Sequence, residues 1–393
     1  EAFAKRAGLR MPNGMTGTSA EDVRNAAVKI GFPVLIRPSY VLGGRGMEIL
    51  SNQQQLDAYL TEAYLAPDKP LLVDEYLGHA TEIDVDAACD GEDVLIGAIM
   101  EHLEEAGIHS GDSTCFIPAQ NISAAMLEKI AEQTKIIGLG LKIRGCYNIQ
   151  FALQGDDLYV LEVNPRSSRT VPFVAKATGL PMARIAANIT IGIPLSKQEI
   201  PRRTTGQVCV KAPVFPFIKL RGLDPAPGPE MKSTGEVYGS DISADKAYLK
   251  ARLATEVPVA TSGGAYLTVR NEDKKSLIPI ARELAEIGFT LYATPGTCDA
   301  LREAGVSANV AYRIADKNHP DALDLMRQGE VSFIVNVPTV SGGAVRDGNM
   351  MRRLAVELNI PFVTTLRGAK MEVAASKAKL SGPLEPRKLT VHY

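Results

Sequence analysis

Two different orders of strands and helices divide this sequence, and they constrain its fold more than any other feature. Between residues 71 and 164, strand patterns such as LLVDEYL, TEIDVDAACDG and DLYVLEVN follow one another with a single helix pattern between them. Strands joined by short turns pair antiparallel, which predicts an α+β unit: an antiparallel sheet with helices on one face. From residue 257, strands and helices alternate, and this order predicts an α/β unit with a doubly wound parallel sheet.

Chain length and composition place the domain boundaries. The 393 residues exceed what one hydrophobic core usually supports, so two or three domains are expected. A Pro- and Gly-rich stretch, RGLDPAPGPEMKSTGEV, lies between the two regions. We predict a first domain at residues 1–195, a connecting region packed on it at 196–256, and a second domain at 257–393. Because the chain opens inside a helix pattern (EAFAKRAGL) without a Met, we expect that part of the first domain precedes it.

Charge and cysteine usage exclude several classes of function. The 43 basic and 45 acidic residues give a formal net charge of −2, which leaves no basic excess to bind nucleic acid. No stretch is long and apolar enough to predict a membrane span, and no signal-peptide pattern is present. The five cysteines form no CxxC pair, which favours buried free thiols in the reducing cytoplasm over a zinc site or disulfides: Cys89, Cys115, Cys146, Cys209 and Cys298.

A polar pattern at the end of the strand series indicates a metal site. In YVLEVNPRSSRT, Glu162 and Asn164 are two residues apart, so both side chains leave one face of a strand. Gln150, in the neighbouring strand YNIQF, offers a third oxygen, and Mg²⁺ prefers oxygen ligands. Arg169 follows, where a guanidinium would neutralise charge on a transferred phosphoryl group. The alternative is that these polar residues merely face solvent.

Three further segments supply weaker signals. In IRPSYVLGGRG, Arg37 ends a strand and the glycines form a turn that would approach phosphate oxygens, although a simple hairpin turn is the commoner structure. In VDEYLGHATEIDVD, the connection would present backbone groups to an adenine, and Glu82 would take ribose hydroxyls or a metal unless it is simply solvated. In EHLEEAGIHSGDS, His109 and Ser110 indicate a polar loop lining a site, or a solvated one.

Together these segments resemble the ATP-grasp superfamily. The combination RPSYVLGGRGMEI, EIDVDAACDG, EHLEEAGIHSGDS and EVNPRSSRTVPFVAKATG is similar to the carbamoyl-phosphate synthase large subunit over essentially the whole chain. One ATP-grasp unit followed by an allosteric-type domain resembles that family's carboxy-terminal half, which phosphorylates carbamate. The resemblance implies synthesis of carbamoyl phosphate for pyrimidine and arginine biosynthesis. It also implies ATP and Mg²⁺ or Mn²⁺ as cofactors, and it leaves K⁺ open.

The resemblance assigns a role to each matching position. It implies that Arg37 and Arg169 act in catalysis by offsetting phosphoryl charge. The metal ligands it implies are Gln150, Glu162 and Asn164. The nucleotide contacts it implies are Arg37, Glu75, Leu77, Glu82, Gly107, Ile108, His109, Ser110, Gln150 and Glu162. No general base is required, because carbamate is already an anion.

Residues 257–393 resemble the methylglyoxal-synthase-like regulatory domain of the same family. In FTLYATPGTCDAL, Thr294 and Thr297 lie between a strand end and a helix start, where the helix dipole favours an anion. Thr297 capping the helix is the alternative. Lys274 and Asn336 would complete a phosphate pocket at the carboxyl ends of the strands. The resemblance leaves a nucleotide effector such as UMP open.

Partners and rival functions follow from the resemblance rather than from the residues. It implies two partners, the glutaminase small subunit and the amino-terminal half of the large subunit. It implies binding to neither nucleic acid nor a membrane, and it leaves open whether the chain forms a homo-oligomer. A cytoplasmic location is expected. Two rivals remain: another ATP-grasp carboxylate ligase such as biotin carboxylase, and a catalytically inactive nucleotide-binding regulatory fragment.

Overall fold

The protein folds into two compact units. The computed structural model describes residues 2–39, 43–62, 70–201, 206–219, 222–338 and 343–387. The first unit contains the described residues up to Lys211 together with 228–231 and 386–387. The second contains 212–227 and 232–385, so the two units share the region 196–256.

The first unit begins with a small antiparallel sheet. Its elements are α1 (Ala2–Arg6), β1 (Gly14–Gly17), α2 (Ala20–Ile30), β2 (Val34–Pro38), β3 (Glu48–Leu50), α3 (Gln53–Glu62) and β4 (Leu71–Glu75). The strand order is β1-β4-β2-β3, and every pairing is antiparallel. Ser19 and Asp22 form a capping box that starts α2, and Gly31 at a φ of +90° ends it.

A larger antiparallel sheet forms the rest of this unit. Its elements are β5 (Thr81–Cys89), β6 (Val94–Glu105), β7 (Cys115–Ile117), α4 (Ala124–Gly140), β8 (Gly145–Gln154), β9 (Asp157–Asn164), α5 (Val171–Thr178), α6 (Met182–Thr190) and β10 (Val208–Val214). The strands lie in the order β10-β7-β6-β5-β8-β9. The predicted antiparallel sheet is confirmed.

Helices pack on both faces of this sheet, so the predicted one-sided arrangement is wrong. Tyr147 of β8 belongs to the core beneath α4 and donates through its hydroxyl to the Thr134 carbonyl at 2.9 Å. Its neighbour Cys146 contacts the carbonyl of Met182 in α6. Successive strand residues point to opposite faces, so α4 and α6 lie on opposite sides.

The second unit confirms the predicted doubly wound parallel sheet. Its elements are β11 (Gly235–Asp241), α7 (Ala244–Ala254), β12 (Gly263–Thr268), α8 (Lys274–Glu286), β13 (Phe289–Ala293), α9 (Pro295–Glu303), β14 (Asn309–Val310), α10 (Ala322–Arg327), β15 (Val331–Asn336), α11 (Gly343–Glu357), β16 (Phe362–Val363) and α12 (Leu366–Leu380). Five strands pair in parallel in the order β14-β13-β12-β15-β16. Ala265 and Tyr266 of β12 enter two separate cores, one on each face.

Helix α12 is an element that the sequence analysis did not predict. Its buried residues include Glu372 and Ser376, which interrupt the apolar stripe expected of a packed helix. Glu372 accepts hydrogen bonds from Tyr248 at 2.9 Å and Arg252 at 2.5 Å, both on α7. Hydrogen bonds from another helix therefore compensate for the burial of the Glu372 carboxylate, which is unfavourable without such partners.

The helices of the described residues are short or polar. None is both long and apolar enough to cross a lipid bilayer.

Candidate functional site

Two rows of polar side chains cross three strands of the larger sheet. In one row Asp84 of β5 lies opposite Gln150 of β8, which lies opposite Glu162 of β9. In the next row Asp86 lies opposite Asn148, which lies opposite Asn164. Directly opposed residues have Cβ atoms about 4.5–5.5 Å apart, so the three predicted metal ligands Gln150, Glu162 and Asn164 lie close together on one face.

A β-bulge in β9 turns Glu162 to this face. Gln150 pairs with Glu162, but Phe151 pairs with Val160, so Leu161 is an extra residue. Leu158 and Val160 point into the core. In a regular strand Glu162 would share their face. The bulge reverses the alternation and places Glu162 and Asn164 opposite the core.

Hydrogen bonds order the three oxygen-bearing side chains. Asn164 donates through Nδ2 to Glu162 Oε1 at 2.7 Å. Gln150 donates through Nε2 to Ser110 Oγ at 3.0 Å, so its Oε1 is the end that would reach a cation. Glu162 is exposed, which the solvated alternative also predicts. Together with the side-chain oxygens of Gln150 and Asn164, however, its carboxylate offers the kind of oxygen ligands that Mg²⁺ or Mn²⁺ prefers.

Glu82 is buried beside a second group of ionisable side chains. It is 2% exposed, which contradicts the solvated alternative. Its Oε2 accepts from the Gly107 amide at 3.3 Å. His102 is fully buried, with Nδ1 3.7 Å from Glu82 Oε1 and Nε2 3.4 Å from Asp84 Oδ2. Burial raises the pKa of Glu82 to about 8, and these three side chains could hold a cation.

The predicted nucleotide loop is fixed from several sides. Gly107 has a φ of +96°, a conformation that favours glycine. The His109 amide donates to the Gly228 carbonyl at 2.8 Å, and its Nδ1 accepts from the Gly111 amide at 3.0 Å. Lys211, which is buried, donates to the Ser110 carbonyl at 3.0 Å. Ile108 is half-buried between these anchored residues.

The predicted triphosphate and hinge residues lie on and after neighbouring strands. Arg37 on β2 donates through Nε to Asp74 Oδ2 at 2.5 Å, which leaves its terminal nitrogens for an anion. Glu75 ends β4 and accepts through Oε2 from Asn13 Nδ2 at 2.7 Å. Leu77 is 4% exposed, and its side chain packs in the core.

The glycine segment is a hairpin turn, as the commoner alternative predicted, because β2 pairs with β3. Gly44 has a φ of +70°, and a Cβ built there would lie 2.0 Å from the Pro229 carbonyl oxygen. The Met231 amide donates to the Gly43 carbonyl at 2.9 Å. The turn is therefore packed against residues 228–231 of the same unit.

We expect Gly44→Ala to strain this turn. The new Cβ must displace backbone at a positive φ, at a cost of about 1–3 kcal/mol, and it should raise the KM for ATP about tenfold by moving the turn. Gly155→Ala is the matched control, since Gly155 has a φ of +59° but nothing within 4 Å of its Cβ position. Urea unfolding and ATP titration check both variants; equal effects would contradict the role of Pro229.

Arg169 lies in the loop between β9 and α5. Its guanidinium contacts the Met231 sulfur, and a Cβ on Gly111 would lie 2.9 Å from its NH1. The flanking Ser168 and Thr170 hydroxyls donate to Asp86 Oδ2 at 2.8 and 2.6 Å. Burial raises the pKa of Asp86 to about 6, although these hydrogen bonds oppose the shift.

This raised pKa predicts a pH dependence of stability. Between the ordinary carboxyl pKa of 3.8 and about 6, the folded state binds more protons at Asp86 than the unfolded state does. Asp86 therefore makes the free energy of unfolding fall as pH rises through this window. Asp86→Asn lacks this slope, so its stability relative to wild type should rise by on the order of 3 kcal/mol between pH 4 and 7. Urea unfolding at both pH values measures the difference, and parallel curves would contradict it.

The second unit has a pocket where its strands end. Thr294 and Asn336 line this pocket, at the carboxyl ends of the strands and beside β12, where the strand order reverses. Thr297 is buried with its hydroxyl 3.1 Å from that of Thr294. Thr294, not Thr297, is the N-cap residue of α9. A Cβ on Gly296 would lie 3.0 Å from Lys274 Nζ, so Lys274 lies at the same helix start.

Several residues of both regions escaped the sequence analysis. In the pocket they include Arg313 and Asp347. In the first unit they include Asp84, Asp86, His102, Lys211 and Met231. Only the alternation of EIDVD signalled that Glu82, Asp84 and Asp86 share a face.

Solved structures identify the fold of a large part of the chain. It resembles a carboxyaminoimidazole ribonucleotide synthase from Aspergillus clavatus complexed with ATP, with a TM-score of 0.52 and 16% identity over 65% of this chain and 70% of that one. It also resembles a biotin carboxylase complex from Campylobacter jejuni, with a TM-score of 0.50 and 16% identity over 64% of each chain. These similarities and the polar face of the sheet define an ATP-grasp fold.

Sequence comparison gives the family. Residues 1–198 match the carbamoyl-phosphate synthase L chain ATP-binding domain, and residues 276–364 match an MGS-like domain. A carbamoyl phosphate synthase large chain from Methanosarcina barkeri is 45% identical over 95% of this chain and 94% of its own length. One from Methanosarcina acetivorans is 46% identical, and there the matched region spans 35% of the relative. The chain belongs to the carbamoyl phosphate synthase large chain family, which consists of ATP-dependent ligases.

Proposed function

We propose that this chain transfers the γ-phosphoryl group of ATP to carbamate and so forms carbamoyl phosphate. The observation that carries the proposal is the convergence of Gln150, Glu162 and Asn164 on one sheet face, in the unit that also presents Arg37 and Arg169. The large-chain relatives support carbamate as the acceptor. The match covers only 35% of the Methanosarcina acetivorans relative, so the complete synthase reaction is not proposed for this chain alone.

The donor set fits a hard divalent cation. Two amide oxygens and one carboxylate suit Mg²⁺ or Mn²⁺, and the exposure of Glu162 leaves room for phosphate oxygens beside it. When bound, the cation would neutralise charge on the phosphates.

The protein side chains contribute positioning and charge. The free terminal nitrogens of Arg37 would hold phosphate oxygens, while Asp74 fixes the orientation of the guanidinium. Arg169 would offset charge on the phosphoryl group in flight. Carbamate attacks through an oxygen that already carries negative charge, so no residue has to remove a proton.

Other residues would hold the nucleotide and exclude water. Glu82, whose pKa burial raises to about 8, would contact the ribose hydroxyls. The backbone around Glu75 and Leu77 would face the adenine. Residues 107–110 and the glycine turn would enclose the phosphates and limit hydrolysis.

The reverse reaction provides the direct test. Purified protein is mixed with MgADP and carbamoyl phosphate, and ATP formation is measured against a sample with acetyl phosphate. We expect ATP only with carbamoyl phosphate. Nucleotide binding without ATP formation would support the inactive regulatory fragment instead, and bicarbonate-dependent ATP cleavage without carbamoyl-phosphate use would support another ATP-grasp ligase.

The remaining assignments belong to this proposal. Membership of the family supports three of them: the domain boundaries at residues 195 and 256, a cytoplasmic location, and a role in pyrimidine and arginine biosynthesis. It also supports partnership with a glutaminase subunit and with an amino-terminal half. For the pocket with Thr294 and Asn336, we propose an anionic effector such as a nucleotide, because Arg313 lines the same pocket.

A further inference from the structure

One buried carboxylate ties the loop that carries Arg169 to the sheet. Asp86 on β5 is 1% exposed. Its Oδ2 accepts from the hydroxyls of Ser168 and Thr170, the residues immediately before and after Arg169. These two hydroxyls also lie 2.8 Å from each other. The backbone on both sides of Arg169 is thus fixed through a single oxygen atom.

The other oxygen of the same carboxylate reaches the neighbouring strand. Asp86 Oδ1 accepts from Asn148 Nδ2 at 3.0 Å. Asn148 lies directly opposite Asn164, one of the proposed metal ligands. Asp86 therefore contacts both the loop of the proposed catalytic arginine and the strand position beside the proposed metal.

Folding alone does not account for a carboxylate at this position. A buried carboxylate loses its hydration, and here only neutral amide and hydroxyl groups compensate for that loss. A neutral side chain of similar shape would fill the same space at a lower cost. Groups that oppose stability in this way are commonly retained where a functional site requires a fixed geometry.

We propose that Asp86 is a positioning residue for phosphoryl transfer, which holds Arg169 in its productive position through Ser168 and Thr170. This inference rests on the proposed function. It predicts that loosening the tether lowers kcat, because a misplaced guanidinium no longer meets the transferring group, while ATP binding continues.

The test compares variants that remove or keep the acceptor. Asp86→Leu removes it with a side chain that branches at the same atom, and Asp86→Asn keeps one acceptor oxygen. Ser168→Ala with Thr170→Val removes both donors and leaves Asp86 in place, which covers the case in which Asp86→Leu does not fold. Each variant is also made in an Arg169→Ala background, and kcat and KM for MgADP and carbamoyl phosphate are measured.

We expect Asp86→Leu and the double variant to lower kcat about 10²-fold with KM for MgADP changed less than about twofold. Asp86→Asn should keep kcat within about fivefold of wild type. In the Arg169→Ala background these substitutions should have no further effect, because the group that they position is gone. Full additivity with Arg169→Ala, or equal losses in kcat and in MgADP affinity, would overturn the proposal.

Hydrogen exchange separates failure of this inference from failure of the proposed function. Amides of residues 166–170 should exchange at least about tenfold faster in Asp86→Leu and in the double variant than in wild type, whether or not ATP forms. Unchanged exchange in both would overturn the positioning role. Faster exchange in the variants, in a protein whose wild type forms no ATP, would leave the tether supported and refute carbamate phosphorylation alone.

Discussion

Glu162→Gln should lower the rate of ATP formation from MgADP and carbamoyl phosphate about 10³-fold. Glu162 is the one carboxylate of the proposed ligand set, and it stands opposite Gln150 with Asn164 bound to its Oε1. Replacing it with an amide removes the negative charge that holds the cation, and the cation in turn neutralises the phosphates.

The fold should survive this change. Glu162 is exposed, and surface substitutions usually alter the free energy of unfolding by about 0.5 kcal/mol or less. Steady-state kinetics over a range of Mg²⁺ and Mn²⁺ concentrations makes the measurement, and excess metal should restore part of the rate. Glu128→Gln, at an exposed acidic residue of α4, is the matched control. A Glu162→Gln enzyme with near-normal turnover would refute the metal assignment.

The second large effect is expected in the second unit, from Arg352→Met. Arg352 is 2% exposed and is among the largest fully buried side chains. It donates to both oxygens of Asp224, at 2.8 and 2.5 Å, and also to Asn336 Oδ1. Burial would raise the pKa of Asp224, but the Arg352 guanidinium outweighs it and holds that pKa below its ordinary value.

Removing the guanidinium leaves a partly buried carboxylate without its partner, at a cost of about 3–5 kcal/mol. Urea unfolding followed by circular dichroism measures the loss, and hydrogen exchange in β12 and β15 assigns it to this unit. Adding Asp224→Asn should recover part of the stability. Arg353→Met is the matched control, because Arg353 donates to a backbone carbonyl, that of Leu223. Equal losses in the two single variants would contradict the ion-pair explanation.

The same arginine connects stability to the proposed effector pocket. Asn336 lines the pocket, and its carbonyl oxygen is already engaged by Arg352, so only its amide nitrogen is left to meet a ligand. The sequence indicated Asn336 by its place at the carboxyl end of a strand pattern. Its partner lies 16 residues further along the chain in a helix pattern, MMRRLAVEL, that gave no sign of a buried cation.

Local patterns predicted most of the strands and helices correctly. The capping box before α2, the glycine after it, and the alternation in β5 and β8 are decided by neighbours within a few residues. The elements that were missed had other causes. α12 buries Glu372 against Tyr248 and Arg252, and β7, with only three residues, is too short to show a period.

The sequence by itself determined the two kinds of sheet, the oxygen-bearing residues on β8 and β9, and the family. These follow from residue type and spacing, which fix periodicity and chemistry. Only the tertiary structure decided that the bulge at Leu161 turns Glu162 away from the core, and that Asp86 holds the Arg169 loop across 82 and 84 residues. Both depend on how distant strands pair, and the energies that set such pairing belong to contacts that no local pattern contains.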